Sequence, residues 1–176
     1  MKIQNLKLPG AKLISPTVFH DERGYFLESH QQVRYKDLGI DETFVQDNHS
    51  FSKEGVIRGM HFQAGQAKLV RVASGKIYDV IVDIRPDSPT FGKWEGVILG
   101  DADHQQLYIP EGFAHGFCVL SPEAHVLYKI SSYYNKEIEQ GFRFDDPEIG
   151  IDWPVKAAIV SERDRANPYF YELRWS

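Results

Sequence analysis

The sequence predicts an all-β fold, an antiparallel sandwich or barrel, on three observations. Between residues 56 and 130 apolar residues alternate with polar ones or come in short runs. Turn-forming clusters interrupt this pattern about every 8–12 residues. Helical periodicity is scarce. A period of two marks a strand with one buried face, and many short strands separated by turns belong to sandwiches and barrels.

Taken in order, residues 31–38 (Gln31 to Leu38), stopped by Gly39, are the best helix candidate. Residues 69–73 and 76–84 read as two strands joined at Ser74-Gly75. Residues 94–99, 106–109, 116–120 and 125–130 continue the series, separated by Arg85-Pro86-Asp87-Ser88-Pro89, Gly100-Asp101-Ala102-Asp103, Pro110-Glu111-Gly112 and Ser121-Pro122-Glu123. The last quarter, with Trp153-Pro154 and Asn167-Pro168, reads as irregular chain with short helical turns. No linker, repeat or low-complexity tract divides the chain, so residues 1–176 are expected to form one domain.

Composition narrows the function. The chain is 42% hydrophobic and carries a net charge of −5, which gives no support to a nucleic-acid or anionic-membrane partner. Its single cysteine, Cys118, has no intramolecular disulfide partner. Met1-Lys2-Ile3-Gln4-Asn5 lacks the apolar run of a signal peptide, and a soluble, cytoplasmic protein is expected. Aromatic residues are abundant: 11 Phe, 9 Tyr and 3 Trp, most of them suited to packing.

Three segments carry polar residues that a plain β-sandwich does not need. In Ile57-Arg58-Gly59-Met60-His61-Phe62-Gln63, strict alternation sends Arg58, Met60 and Phe62 one way and Ile57, Gly59, His61 and Gln63 the other. Lys68 opens the following strand. A His and a Lys inside a sandwich are expensive to bury unless paired or used, although a lone strand His is more often simply packed. In the second segment, Pro110-Glu111-Gly112-Phe113-Ala114-His115 has the P-x-G-x-x-H spacing that resembles the second motif of cupins. The first cupin motif supplies H-x-H to a metal; here that place reads His61-Phe62-Gln63, so no metal is expected. The third is Tyr128, with Tyr133 and Tyr134 beyond it; a buried Tyr usually packs and finds one hydrogen bond, but across the interior from His61 it would make one half of an acid/base pair. Arg23, Arg58 and Arg163 suit phosphate capture, though each alone reads as a surface ion pair. There is no Gly-x-Ser-x-Gly, P-loop or Gly-x-Gly-x-x-Gly.

Together these segments resemble the dTDP-4-dehydrorhamnose 3,5-epimerase family from about Leu13 to Asp164. The resemblance rests on Asp21-Glu22-Arg23-Gly24-Tyr25-Phe26, Val45-Gln46-Asp47-Asn48, Arg58-Gly59-Met60-His61-Phe62-Gln63 and Lys68-Leu69-Val70-Arg71-Val72. Further matches are Asp79 to Arg85, Ser88 to Trp94, Ile109 to Phe117, Tyr128-Lys129, Asp145-Asp146-Pro147, Ile151 to Pro154 and Ser161-Glu162-Arg163-Asp164. It implies a cupin jelly-roll β-barrel or sandwich with a few short helices, no metal or organic cofactor, and a homodimer in which the segment near Arg23 to Phe26 reaches the neighbouring site. The implied substrate is a dTDP-4-keto-6-deoxyhexose, whose C4 carbonyl acidifies the hydrogens at C3 and C5.

By resemblance, His61 is the base, Asp164 the carboxylate that orients it, Tyr128 the acid and Lys68 the cation at the enolate oxygen. Arg23, Phe26, Glu28, Gln46, Asp47, Asn48, Arg58, His115, Glu139 and Arg163 match the nucleotide-sugar contacts, and Tyr134 the aromatic that stacks on thymine. Three departures stand out: a His61–Lys68 loop shorter than the family's, Arg163 in place of the usual Lys, and Phe144 in place of the common Trp. The alternatives are an epimerase of one carbon or a keto-isomerase on a related sugar, a non-catalytic sugar-binding cupin, and a metal-dependent cupin, which the missing H-x-H opposes.

Overall fold

The computed structural model describes residues 1–175. One sheet of six strands runs β1 (Lys2–Asn5), β2 (Lys12–Ser15), β10 (Gln106–Ile109), β7 (Lys68–Ser74), β12 (Glu123–Ile130) and β5 (Gln46–Lys53). A second sheet runs β13 (Gln140–Gly141), β6 (Ile57–Phe62), β11 (Phe113–Val119), β8 (Lys76–Asp83) and β9 (Trp94–Gly100). Every paired strand is antiparallel. The remaining pair, β3 (Val18–Asp21) and β4 (Gly24–Leu27), forms a hairpin joined to neither sheet. The architecture is the jelly-roll sandwich that the resemblance implies.

The Ser74-Gly75 junction is a corner between sheets: β7 lies in the first sheet and β8 in the second. Gly75 has φ +90°, and a Cβ there would stand 2.2 Å from the carbonyl oxygen of Glu123, so no other residue fits. Val70, Val72, Ile77, Ile81, Phe117 and Val126 fill the space between the sheets. Val80 and Val82, on the opposite face of β8, join Met60, Phe142 and Phe170 in a second core under the C-terminal chain. That double burial is why Val80-Ile81-Val82 reads as an apolar run where alternation is expected.

Helix α1 (Gln32–Asp37) covers the outer face of the six-stranded sheet, where Tyr35, Ile40 and Leu69 form a third cluster. The Gln31 side chain accepts a hydrogen bond from Arg34 N, and Lys12 Nζ donates to the carbonyls of Leu38 and Gly39 beyond the helix end. Helix α2 (Glu162–Ala166) and a 3-10 turn (Phe170–Glu172) are the helical turns expected near the C-terminus.

The turn after β8 is organised around the buried Asp83. Its carboxylate accepts from Arg85 Nε at 2.9 Å, Arg85 Nη2 at 2.6 Å, Ser88 Oγ at 2.6 Å and the Thr90 hydroxyl. Burial alone would raise its pKa, but the Arg85, Ser88 and Thr90 hydrogen bonds outweigh it and hold the carboxyl at about 2. The unfolded value is about 3.9, so Asp83 stabilises the fold above pH ~4, and that contribution is lost as pH falls towards 2. Asp83→Asn is expected to lower unfolding free energy by about 2–3 kcal/mol at pH 7 and to flatten the acid limb between pH ~4 and ~2; urea melts across that range test both.

Candidate active site

A cleft of about 630 Å³ opens between the two sheets, and both supply its walls. On the five-stranded side, register shifts in the β6–β11 pairing: His115 pairs with His61, but Phe117 pairs with Arg58. Two steps along β11 therefore face three along β6, a β-bulge. The bulge corrects the strict alternation expected for this strand, because it turns Arg58 and His61 towards the same cleft. It sits where Gly59, at φ +136°, passes so close to β11 that a Cβ would lie 2.5 Å from Gly116 Cα.

His61 Nε2 donates to Asp164 Oδ1 at 2.6 Å. Asp164 stands in the first turn of α2, which Ser161 caps by accepting from Asp164 N at 3.0 Å. Burial would raise the Asp164 pKa; the hydrogen bond and charge of His61 and the Gly59 N–H lower it below the ordinary carboxylate value, the net result. An ionised carboxylate only accepts, so the His61 proton resides on Nε2 and Nδ1 is left as the basic nitrogen.

Lys68 opens β7 with a buried side chain whose Nζ is 3.4 Å from the His61 carbonyl oxygen. Burial pushes its amine down to about 8, against the pull of Glu139 and Asp79. Tyr128, on β12 of the opposite sheet from His61, also lines the cleft. Burial, and after it the Glu139 carboxylate, push its phenol above the ordinary value, so it holds its proton at neutral pH. At the rim, Tyr134 O–H donates to Glu139 Oε2 at 3.2 Å, and Arg163 Nη2 donates to the same oxygen at 2.5 Å. Gln46 Oε1 accepts from Tyr134 N at 3.1 Å, and Gln46 Nε2 donates to Asn48 Oδ1 at 2.9 Å.

The cleft thus gathers His61, Lys68, Tyr128 and Asp164 with Gln46, Asn48, Arg58, His115, Tyr134, Glu139 and Arg163. Four expected contacts lie elsewhere. Alternation on β5 points Gln46 and Asn48 inward and Asp47 to the outer face, where Lys129 pairs with it at 2.7 Å. Glu28 pairs with Arg34 at 3.1 Å. Arg23, its side chain 85% exposed, pairs with Asp21, and Phe26 is 70% exposed, because the β3–β4 hairpin projects from both sheets.

Sequence reading missed Asp79, Gln66 and Ser161. Asp79 is fully buried between the sheets and accepts from His115 Nε2 at 2.8 Å, a second His–carboxylate pair beside the first. The signal was present: Asp79 shares a strand face with Ile77 and Ile81, an acid where only apolar residues belong without a partner. Among the described residues, no group of three or more His, Cys, Asp or Glu is placed to hold a metal ion, and no helix is long and apolar enough to cross a membrane.

Fold and cleft together make this a jelly-roll protein whose facing sheets bring an imidazole–carboxylate pair, a phenol and a buried amine to one cleft. Residues 5–172 match the family described as dTDP-4-dehydrorhamnose 3,5-epimerase, and the chain belongs to that family. It is 51% identical over 169 residues to the dTDP-4-dehydrorhamnose 3,5-epimerase of Neisseria gonorrhoeae, covering 94% of this chain and spanning about half (52%) of that relative. It is 50% identical to the enzyme of the same name from Methanothermobacter thermautotrophicus, covering 90% of this chain and 88% of that one. The crystal structure of dTDP-6-deoxy-D-glucose-3,5-epimerase from Legionella pneumophila, in complex with dTDP-4-keto-L-rhamnose, superposes with a TM-score of 0.95 at 46% identity, covering 98% of this chain and 94% of that one.

The buried amine is directly measurable. NMR titration of ¹³C-labelled lysine side chains is expected to show one amine with a midpoint near pH 8, absent from Lys68→Met. A Lys68 midpoint at the ordinary value of about 10.4 would refute its desolvation.

Proposed function

We propose that this chain epimerises a dTDP-4-dehydro-6-deoxyhexose at C3 and C5, converting dTDP-4-dehydro-6-deoxyglucose to dTDP-4-dehydrorhamnose in dTDP-rhamnose assembly. The observation that carries this reading is the pairing of facing sheets: His61, with its Asp164 partner, on one wall and Tyr128 on the other. Inverting a carbon requires a proton to leave one face and return to the opposite face.

In the proposed step, His61 Nδ1 takes the proton from a carbon beside the C4 carbonyl. The C–H electron pair forms the carbon–carbon double bond, and the carbonyl pair moves to O4 as an enolate. Asp164 stabilises the imidazolium so formed. The Lys68 ammonium offsets the charge on O4, a type of help that is commonly the largest single contribution to catalysis. Tyr128 O–H then protonates the carbon from the other wall as the O4 pair restores the carbonyl; solvent reprotonates the phenolate and removes the imidazolium proton. The same sequence serves the second carbon, and the steps balance without an oxidant or reductant.

Arg58, His115 and Arg163 bring positive or hydrogen-bonding groups to the cleft for the diphosphate and sugar, and Tyr134 offers a π face to thymine. The working form is proposed to be a homodimer. The exposed Phe19, Tyr25 and Phe26 of the β3–β4 hairpin suit contact with a second copy, which would carry Arg23 to the neighbouring cleft.

Incubation with dTDP-4-dehydro-6-deoxyglucose in D₂O is expected to place deuterium at both C3 and C5, read by NMR and mass. Label at one carbon reduces the activity to a single epimerisation, and no label overturns it. His61→Ala and Tyr128→Phe are each expected to lower turnover by about 10²–10⁴-fold with dTDP binding retained. Because the Lys68 amine is charged only below about pH 8, kcat/KM is expected to fall as pH rises through that value; a profile flat from pH 7 to 9 would remove Lys68 from the charge-stabilising role.

A further inference from the structure

The segment 131–135, which carries Tyr134 to the rim, belongs to no strand or helix. Its backbone groups need partners all the same; Gln46 on β5 takes the Tyr134 N–H, and the β6–β7 loop supplies partners on either side of it. Gln63, only 6% exposed, uses its whole amide on this segment. Its Nε2 donates to Ser132 Oγ at 3.1 Å and to the Tyr133 carbonyl at 3.0 Å, while its Oε1 accepts from Asn135 N at 2.9 Å. The amide therefore grips the chain on both sides of Tyr134. Gln66 reinforces it, with Nε2 3.3 Å from both the carbonyl and the hydroxyl of Ser132.

We propose that Gln63 is a positioning residue for nucleotide recognition: its amide clamps 132–135 and so fixes the Tyr134 ring against the nucleobase. This rests on the reading of Tyr134 as the thymine platform. Two donors and one acceptor are all engaged, which neither Glu, acceptor-only when ionised, nor an apolar residue of the same size can reproduce. A stacking platform held in place costs a ligand less ordering on binding than one that must be immobilised by it. Gln63 and Gln66 both lie in the short connection between β6 and β7, so one loop holds the platform segment at two points.

The test is a double-mutant cycle on dTDP affinity measured by calorimetry, with kcat and KM alongside. Gln63→Met is expected to weaken dTDP about tenfold and to raise KM more than it lowers kcat. In a Tyr134→Ala background the same change is expected to have less than about a twofold effect, because a residue acting through Tyr134 has nothing left to position. Ser132→Ala, approached from the other side of the clamp, should behave alike and serves if Gln63→Met fails to fold. If the Gln63 effect is equal in both backgrounds, or absent from the wild-type background, the clamp is structural and the proposal falls. If Tyr134→Ala itself leaves dTDP affinity unchanged, the platform reading falls first and takes this proposal with it.

Discussion

The close passage of β6 against β11 is the constraint on which the rest of the cleft depends. Gly59 and Gly116 face each other with no room for a side chain on either: a Cβ on Gly116 would sit 2.6 Å from Met60 Sδ and 2.9 Å from the Arg58 carbonyl oxygen. Only at that spacing can the bulge absorb its extra residue and turn both Arg58 and His61 inward. The same bulge directs the Gly59 N–H at Asp164 Oδ2, at 3.4 Å, so the backbone that aims the histidine also holds its carboxylate.

Charge in the cleft is arranged by pairing. Two histidines each meet a buried carboxylate, His61 with Asp164 and His115 with Asp79, and Arg163 meets Glu139. Among the described residues, no carboxylate lies within ion-pair distance of Lys68, and its lowered pKa is the consequence of burial with only longer-range attraction. An ammonium desolvated in this way gains from a negative charge developing next to it. A buried amine of this kind suits the charge-stabilising role proposed for Lys68.

Much of this was legible in the sequence, and the parts that were not have physical reasons. The strands from Lys68 to Ile130 and the helix stopped by Gly39 follow from alternation, apolar runs and turn residues. Strand β5, Gln-Asp-Asn-His-Ser-Phe-Ser-Lys, carries no such signal; it is a strand because β12 supplies its partners along its full length. The bulge in β6 was invisible because alternation assumes a regular ladder, whereas the two glycines that permit the departure lie far apart in sequence and meet only across the sheet. Resemblance assigned Asp47 together with its neighbours, but the pleat separates it from Gln46 and Asn48 and sends it to Lys129. Asp79 was missed for the converse reason, since its partner His115 is brought to it only by the β8–β11 pairing.

The corner at Ser74-Gly75 also bears on how the molecule assembles. Because consecutive strands are dealt to different sheets, few strands pair with their neighbour in the chain. Ile14 of β2 lies opposite Gln106, and Gln46 of β5 opposite Ile130. Emerging from the ribosome, β2 meets β1 at once but must wait for more than half of the chain before its second partner, β10, exists, and loop-closure entropy must be met before that pairing gives a return. Such non-local topology places folding in the slow millisecond-to-second class of β-sandwiches. Because its lining runs from Gln46 to Asp164, the cleft is completed late, and a nascent chain lacks a whole cleft until its last third has been synthesised.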